Sequence, residues 1–217
     1  MLKAVIFDLD GVLIDSTKYI WRSFSEILNG KVVFTDDDIR MYLASSLRES
    51  VISWRERFGI EITDIEAFSR DAGEIEFALS EKDVKRNPSL IDFLEQLRAK
   101  GVKMGVGTSS MRWRAERILD LLSLTSYFSV LVTANDVENH KPNPEVFLSV
   151  AKQLNVDPGD CVVIEDAVNG IEAAHRGGMK VVGLVTQYHS AQELAAAERV
   201  ITSFSELSVE ALRELFD

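Results

Sequence analysis

Ala4-Val5-Ile6-Phe7-Asp8-Leu9-Asp10-Gly11 is the stretch on which the fold turns. Four apolar residues in a row, with no polar alternation, read as a strand buried on both faces, as in a parallel sheet covered by helices. The run then stops at two aspartates and a glycine. In an open parallel sheet, ligands bind beyond the carboxyl ends of the strands. Asp8 and Asp10 are therefore predicted at the rim where chemistry takes place, and not in a hairpin turn.

Further short apolar runs follow: Val102 to Val106, Val130 to Val132, Cys161 to Ile164, Val181 to Val185 and the weaker Val200-Ile201. Helical patterns lie between them. Leu90, Phe93, Leu94 and Leu97 recur at helical spacing with Gly101 as the stop. Val146, Phe147, Val150, Ala151 and Leu154 do the same after Pro144, which suits a first helical turn. This alternation predicts an α/β fold, a doubly wound parallel sheet. Residues from about 16 to 86 carry helix signals only. Thr35-Asp36-Asp37-Asp38 and Thr63-Asp64-Ile65-Glu66 read as capping boxes, and Ile65, Phe68, Ala72, Ile75 and Leu79 form one apolar face. The organisation expected is a core of residues 1–15 and 87–217 with a helical module, 16–86, inserted after the first strand. Asn87-Pro88 returns the chain to the sheet, because a residue before proline resists helix.

The 217 residues, 46% hydrophobic and 27% charged, supply enough apolar material for a real core. The formal net charge of −11 and the lack of a basic cluster argue against a nucleic-acid partner. No run approaches the ~18 consecutive apolar residues of a membrane span, and the N-terminus lacks a signal-peptide pattern. Cys161, the only cysteine, sits in an apolar strand and reads as a small buried hydrophobe. A cytoplasmic protein with no membrane partner is expected.

The strand ends carry the functional signal. The first ends in Asp8 and Asp10, the second in Gly107-Thr108-Ser109, the fourth in Glu165-Asp166, and Lys141-Pro142-Asn143-Pro144 opens the helix before it. Brought together, four carboxylates in one crevice are costly unless a cation is bound. Oxygen ligands of this kind favour Mg²⁺ and a substrate phosphate.

These residues resemble the haloacid dehalogenase-like (HAD) superfamily. Phe7 to Ser16 resembles its first motif, Thr108 its second, Lys141 to Pro144 its third, and Glu165-Asp166 with Gly170-Ile171-Glu172 its fourth. The helical insertion is similar to the cap of the subgroup holding phosphoglycolate phosphatase-like and β-phosphoglucomutase-like proteins. The resemblance implies a Rossmann-like core under an α-helical cap, and a phosphatase acting on a small phosphorylated metabolite. It implies Asp8 as nucleophile, Asp10 as acid/base, and Thr108 and Lys141 as catalytic phosphate-binding groups, with Ser109 beside them. It also implies Mg²⁺ held by Asp8, Asp10 through its carbonyl, and Asp166, with Glu165 nearby. The cap is expected to close over the site about hinges near Asp15–Ser16 and Arg86–Asn87.

Asp10 disfavours a dehalogenase, which protonates no leaving alkoxide. A phosphomutase is the alternative, but its cap histidine is replaced here by Ile20. A catalytically silent module of the same fold finds no support in the motif residues. Leu43 to Ser50 is similar to the cap's specificity loop, which makes Arg48 the candidate for a second anionic group of the substrate. His140 could orient the phosphate site. Trp21, Trp54 and Trp113 read as packing residues, and Arg112, Arg114 and Arg117 as a solvated helix face.

Overall fold

The computed structural model describes residues 1–42, 45–80 and 86–217. Six parallel strands form one sheet in the order β3-β2-β1-β4-β5-β6. They are β1 (Ala4–Phe7), β2 (Lys103–Gly107), β3 (Val130–Val132), β4 (Cys161–Glu165), β5 (Lys180–Leu184) and β6 (Arg199–Ile201). Every apolar run read as a strand is one, within a residue at its ends. Chain direction across the sheet reverses between β1 and β4, so the crevice of a doubly wound sheet opens at the end of β1.

The alternation of β1 explains why no polar residue interrupts it. Val5 and Phe7 face a core built with α5 (Leu90–Ala99), α6 (Arg112–Leu121) and α9 (Val209–Arg213). Ala4 and Ile6 face the opposite core, with α7 (Glu145–Leu154) and α8 (Val168–Arg176). Both faces are dry, so both must be apolar.

The inserted helices are α1 (Thr17–Ile27), α2 (Asp36–Tyr42), α3 (Leu47–Phe58) and α4 (Ile65–Ser80). They enclose a third, largely aromatic core centred on Trp54, whose ring lies 4.9 Å from Phe34, 5.4 Å from Phe24 and 5.9 Å from Trp21. Truncating a fully buried tryptophan of this kind costs about 3–5 kcal/mol. The α/β core with a helical cap is the architecture expected.

Local details differ from expectation in two places. The Thr35 box forms, with the Asp38 amide donating to Thr35 Oγ1 and the Thr35 amide to Asp38. The second box does not. Helix α4 starts one residue later than that reading requires, and Asp64 caps it by accepting from the Ala67 amide at 2.9 Å. The buried face of α4 is also wider than the apolar stripe. Phe68, Ser69, Ala72, Gly73, Glu76 and Phe77 are all buried, because α4 packs against α1 on one side and meets α6 on the other.

The two crossings between cap and core run side by side. Ile14 bridges Arg86, the Asn87 amide donates to the Leu13 carbonyl, and the Asn87 side chain donates to the carbonyls of Gly11 and Val12. Leu43 and Ala44 of the segment read as a specificity loop, and residues 81–85 near the second crossing, lie outside the described residues.

Candidate active site

Asp8 is the first residue beyond β1, tied to its neighbour strand by its amide, which donates to the Ile164 carbonyl at 3.0 Å. Its carboxylate is buried and accepts from Lys141 Nζ at 2.6 Å, while the same ammonium donates to Glu165 Oε1 at 2.6 Å. Burial pushes the Asp8 carboxyl up to about 7, against the pull of Lys141 and with help from Glu165 and Asp10. Burial alone would depress the lysine, but Asp8 and Glu165 more than reverse that and hold it charged.

The other oxygen of Glu165 accepts from the backbone amides of Asp166 and Ala167, at 2.7 and 2.8 Å, just before α8. Both Glu165 oxygens are thus engaged by donors of this chain. A Cβ on Gly170 would sit 1.8 Å from Glu165 Oε1, so glycine there makes the space this carboxylate fills. Asp166 packs in the same way against Gly11. That residue has φ +83, and a Cβ on it would lie 2.0 Å from Asp166 Oδ2. Asp166 Oδ2 is buried and has no hydrogen-bond partner. Burial, with the charges of Glu165 and Asp8, raises the Asp166 carboxyl well above its usual range.

Asp10 stands in a different environment. Its carboxylate accepts from Ser16, from Ser110 at 2.6 Å, and from both Nη atoms of Arg114, at 2.7 and 2.8 Å. Burial works to raise its proton affinity, but Arg114 and the two hydroxyls outweigh it and hold the group below the usual carboxylate range. Two carboxylates two residues apart are thereby pushed in opposite directions.

Thr108 is buried at the end of β2, where its hydroxyl accepts from the Ser110 amide at 3.1 Å. It does not cap α6, whose start at Arg112 has no side-chain cap. Thr108 and Ser109 line a cleft with Asp8, Asp10 and Asp166 on the core side and with Ile20, Trp21, Phe24 and Tyr42 on the cap side. Cys161 takes no part: burial pushes its thiol up to about 12.

The sequence profile described as haloacid dehalogenase-like hydrolase matches residues 5–184. The chain belongs to that family. Within the HAD superfamily it falls in the phosphatase and phosphomutase subgroup. A phosphorylated carbohydrates phosphatase of Thermotoga maritima is 32% identical over 99% of this chain and 100% of its own. A β-phosphoglucomutase of Bacillus subtilis is 32% identical over 98% of this chain and 95% of its own. Among solved structures, a β-phosphoglucomutase of Clostridium difficile superimposes with a TM-score of 0.87 at 25% identity, covering 100% of this chain and 97% of that one.

A HAD-like hydrolase of this subgroup calls for a divalent cation, and the residues present fit one. An unpartnered buried carboxylate oxygen on Asp166 beside an Asp8 of raised proton affinity is a site short of positive charge. Among the described residues no three carboxylate, imidazole or thiolate groups gather around one point. A sparse set of that kind suits a hard cation that keeps several waters and takes a substrate oxygen.

Arg48 is exposed on α3, next to Leu47, which lines the cleft. One arginine reading needs correction. Arg114 is not on a solvated face: it is buried and lines the cleft, whereas Arg112 is half-buried and Arg117 exposed. Its position four residues before Ile118 and eight before Leu122, both buried, was the available signal. Ser16, Ser110 and Glu76 were also missed. His140 contributes its carbonyl, which accepts from the Asn143 amide. Trp54 and Trp113 pack as expected, whereas Trp21 both packs and lines the cleft.

Proposed function

We propose that this protein is a Mg²⁺-dependent phosphatase of a small phosphorylated metabolite, working through an aspartyl-phosphate on Asp8. The reading rests on one observation above the others. The buried Asp8 carboxylate, backed by Lys141 at 2.6 Å, opens onto the same cleft as Asp10 and Asp166.

Asp8 attacks phosphorus, and the bond to the leaving oxygen breaks. Lys141 and Thr108, with Ser109 at the rim, hold phosphoryl oxygens and neutralise their charge, which is the main demand of phosphoryl transfer. A phosphate dianion between two carboxylates raises their proton affinity. Asp10 thus takes up a proton as substrate binds, gives it to the leaving oxygen, and takes one back from the water that cleaves the aspartyl-phosphate. Asp8, Asp166 and the Asp10 carbonyl, with Glu165 behind them, would hold Mg²⁺, which would supply charge neutralisation at the phosphoryl group. Residues 16–86 act as the cap, and the protein works in the cytoplasm; no helix among the described residues is long and apolar enough to cross a membrane.

The phosphomutase reading draws on the 32% identity to the Bacillus enzyme. Against it stands Ile20, which lines the cleft and offers no polar contact. The test is phosphate release, with and without Mg²⁺, from p-nitrophenyl phosphate, phosphoglycolate, pyrophosphate and sugar phosphates. Mg²⁺-dependent release is expected; its absence from every member would sink the phosphatase reading.

A further inference from the structure

Arg114 is a core residue that touches both the acid/base group and, through a two-pronged contact, the cap. Its Nε and Nη2 donate to the two oxygens of Glu76, at 2.8 and 2.7 Å, and Glu76 is buried on α4 of the cap. Nη1 and Nη2 donate to the two oxygens of Asp10, and Nη1 donates also to Ser110 Oγ at 2.8 Å. A guanidinium has five N–H groups, and all five are committed here. Neither end of this arrangement is a surface ion pair. Arg114 and Glu76 are both at most 8% exposed in their side chains, so the pair is held by geometry that water does not dilute.

The surroundings are built for the same contact. A Cβ on Gly73 of α4 would lie 2.0 Å from Trp113 Cη2, so glycine lets the indole of α6 come down on the cap helix. Arg117 stacks over Phe77 at 3.9 Å from the ring centre and pairs with Glu74 at 2.6 Å. Residues 113, 114 and 117 of α6 thus meet 73, 74, 76 and 77 of α4 along one seam. Only the middle of that seam reaches the reacting groups, through Arg114.

We propose that Arg114, clasped by Glu76, is a positioning residue that couples docking of the cap to the placement of the Asp10 carboxyl group in the cleft. With the cap docked, Glu76 fixes the guanidinium, and the guanidinium fixes both oxygens of Asp10. Ser16 and Ser110 supply the other two donors to Asp10, and their hydroxyls can rotate aside for a leaving oxygen or a water while the planar fork stays in place. With the cap away, Arg114 loses its cap anchor, and Asp10 loses the support that orients it. Proton transfer is thereby restricted to the closed, water-poor state. The fork is consumed in this task and is not a substrate-binding group.

This inference rests on the phosphatase reading, and the test separates the two. The quantity to measure is kcat/KM for phosphate release from p-nitrophenyl phosphate, whose leaving group needs no proton, and from alkyl and sugar phosphates, whose leaving groups do. The variants are Arg114→Lys, Glu76→Gln and Asp10→Ala, each checked for fold by circular dichroism. The expected loss in Arg114→Lys and Glu76→Gln is about 10²-fold for alkyl esters and about 3-fold or less for p-nitrophenyl phosphate, the pattern of a displaced general acid. Adding Arg114→Lys to Asp10→Ala should cost nothing further. If Arg114→Lys does not fold, the near-isosteric Glu76→Gln carries the test. Equal losses for all esters, or losses that add to those of Asp10→Ala, would reduce the clasp to a structural contact and overturn the proposal. A wild-type protein inactive on every ester would instead overturn the phosphatase reading and, with it, this role.

Discussion

Lys141 and Asp8 lie 133 residues apart in the chain, yet the lysine Nζ donates to the aspartate Oδ1 at 2.6 Å, with both side chains buried. One ammonium also serves Glu165, so a single cation balances two buried carboxylates. Replacing Lys141 by Met should remove that balance and a phosphoryl-oxygen donor together. The expected outcome is a fall of about 10²–10³-fold in kcat, with a stability loss of about 3–5 kcal/mol in the absence of metal. Steady-state kinetics and urea unfolding measure the two separately.

Gly11 bears on the cation. Its positive φ and the 2.0 Å approach of Asp166 to a notional Cβ mean that Gly11→Ala must push the Asp166 carboxylate aside. Half-saturation by Mg²⁺ in the phosphatase assay should rise by about 10-fold or more, as for changes that displace a metal ligand. An unchanged Mg²⁺ requirement would remove Asp166 from the ligand set.

The pH dependence follows from Asp8 and Asp166. Both have proton affinities raised in the folded state, Asp8 from 3.8 to about 7. Between those values the metal-free native state binds more protons than the unfolded chain, so these groups make stability fall as pH rises through the window. Asp10 shifts the other way, and its contribution is lost only as pH falls below the ordinary carboxylate range. Mg²⁺ replaces the bound protons. Thermal melts should therefore show a larger rise in Tm on adding Mg²⁺ at about pH 8 than at about pH 5. Equal rises would contradict a cation held by these two carboxylates.

Most of the sheet was legible because its strands are buried on both faces, and a short β-branched run such as Cys161 to Ile164 is decided for strand by its length and composition. The core half of the site was legible for a related reason: residues at strand ends in a doubly wound sheet are already aligned by topology. Arg114 escaped because its two carboxylate partners, Asp10 and Glu76, come from segments far from it in the chain. Its spacing to Ile118 and Leu122 is only a weak signal for a buried arginine, and Arg112 and Arg117, neither of them buried, flank it on the same helix. Arg48 illustrates a different limit: an arginine near a helix start looks the same in sequence whether it serves a substrate or solvent alone, and it is exposed here.

Ile20 makes a prediction about product. A mutase has to hold a sugar phosphate in two orientations through polar contacts, and Ile20 supplies none at its place in a cap wall whose hydroxyls come from Thr17, Tyr42, Ser45, Ser50 and Ser69. Sugar phosphates should yield inorganic phosphate with no isomerised ester, as followed by phosphorus NMR. Formation of an isomer at a rate comparable to phosphate release would favour the mutase.

The proposed role of Asp8 as carrier of the phosphoryl group is tested most directly by acid quenching during turnover of a radiolabelled phosphate ester. Label should be trapped on the peptide bearing Asp8, chase away with unlabelled substrate, and vanish in Asp8→Asn along with at least about 10³-fold of the turnover. Steady turnover with no trapped label at Asp8, or an Asp8→Asn variant that still turns over at the wild-type rate, would contradict it.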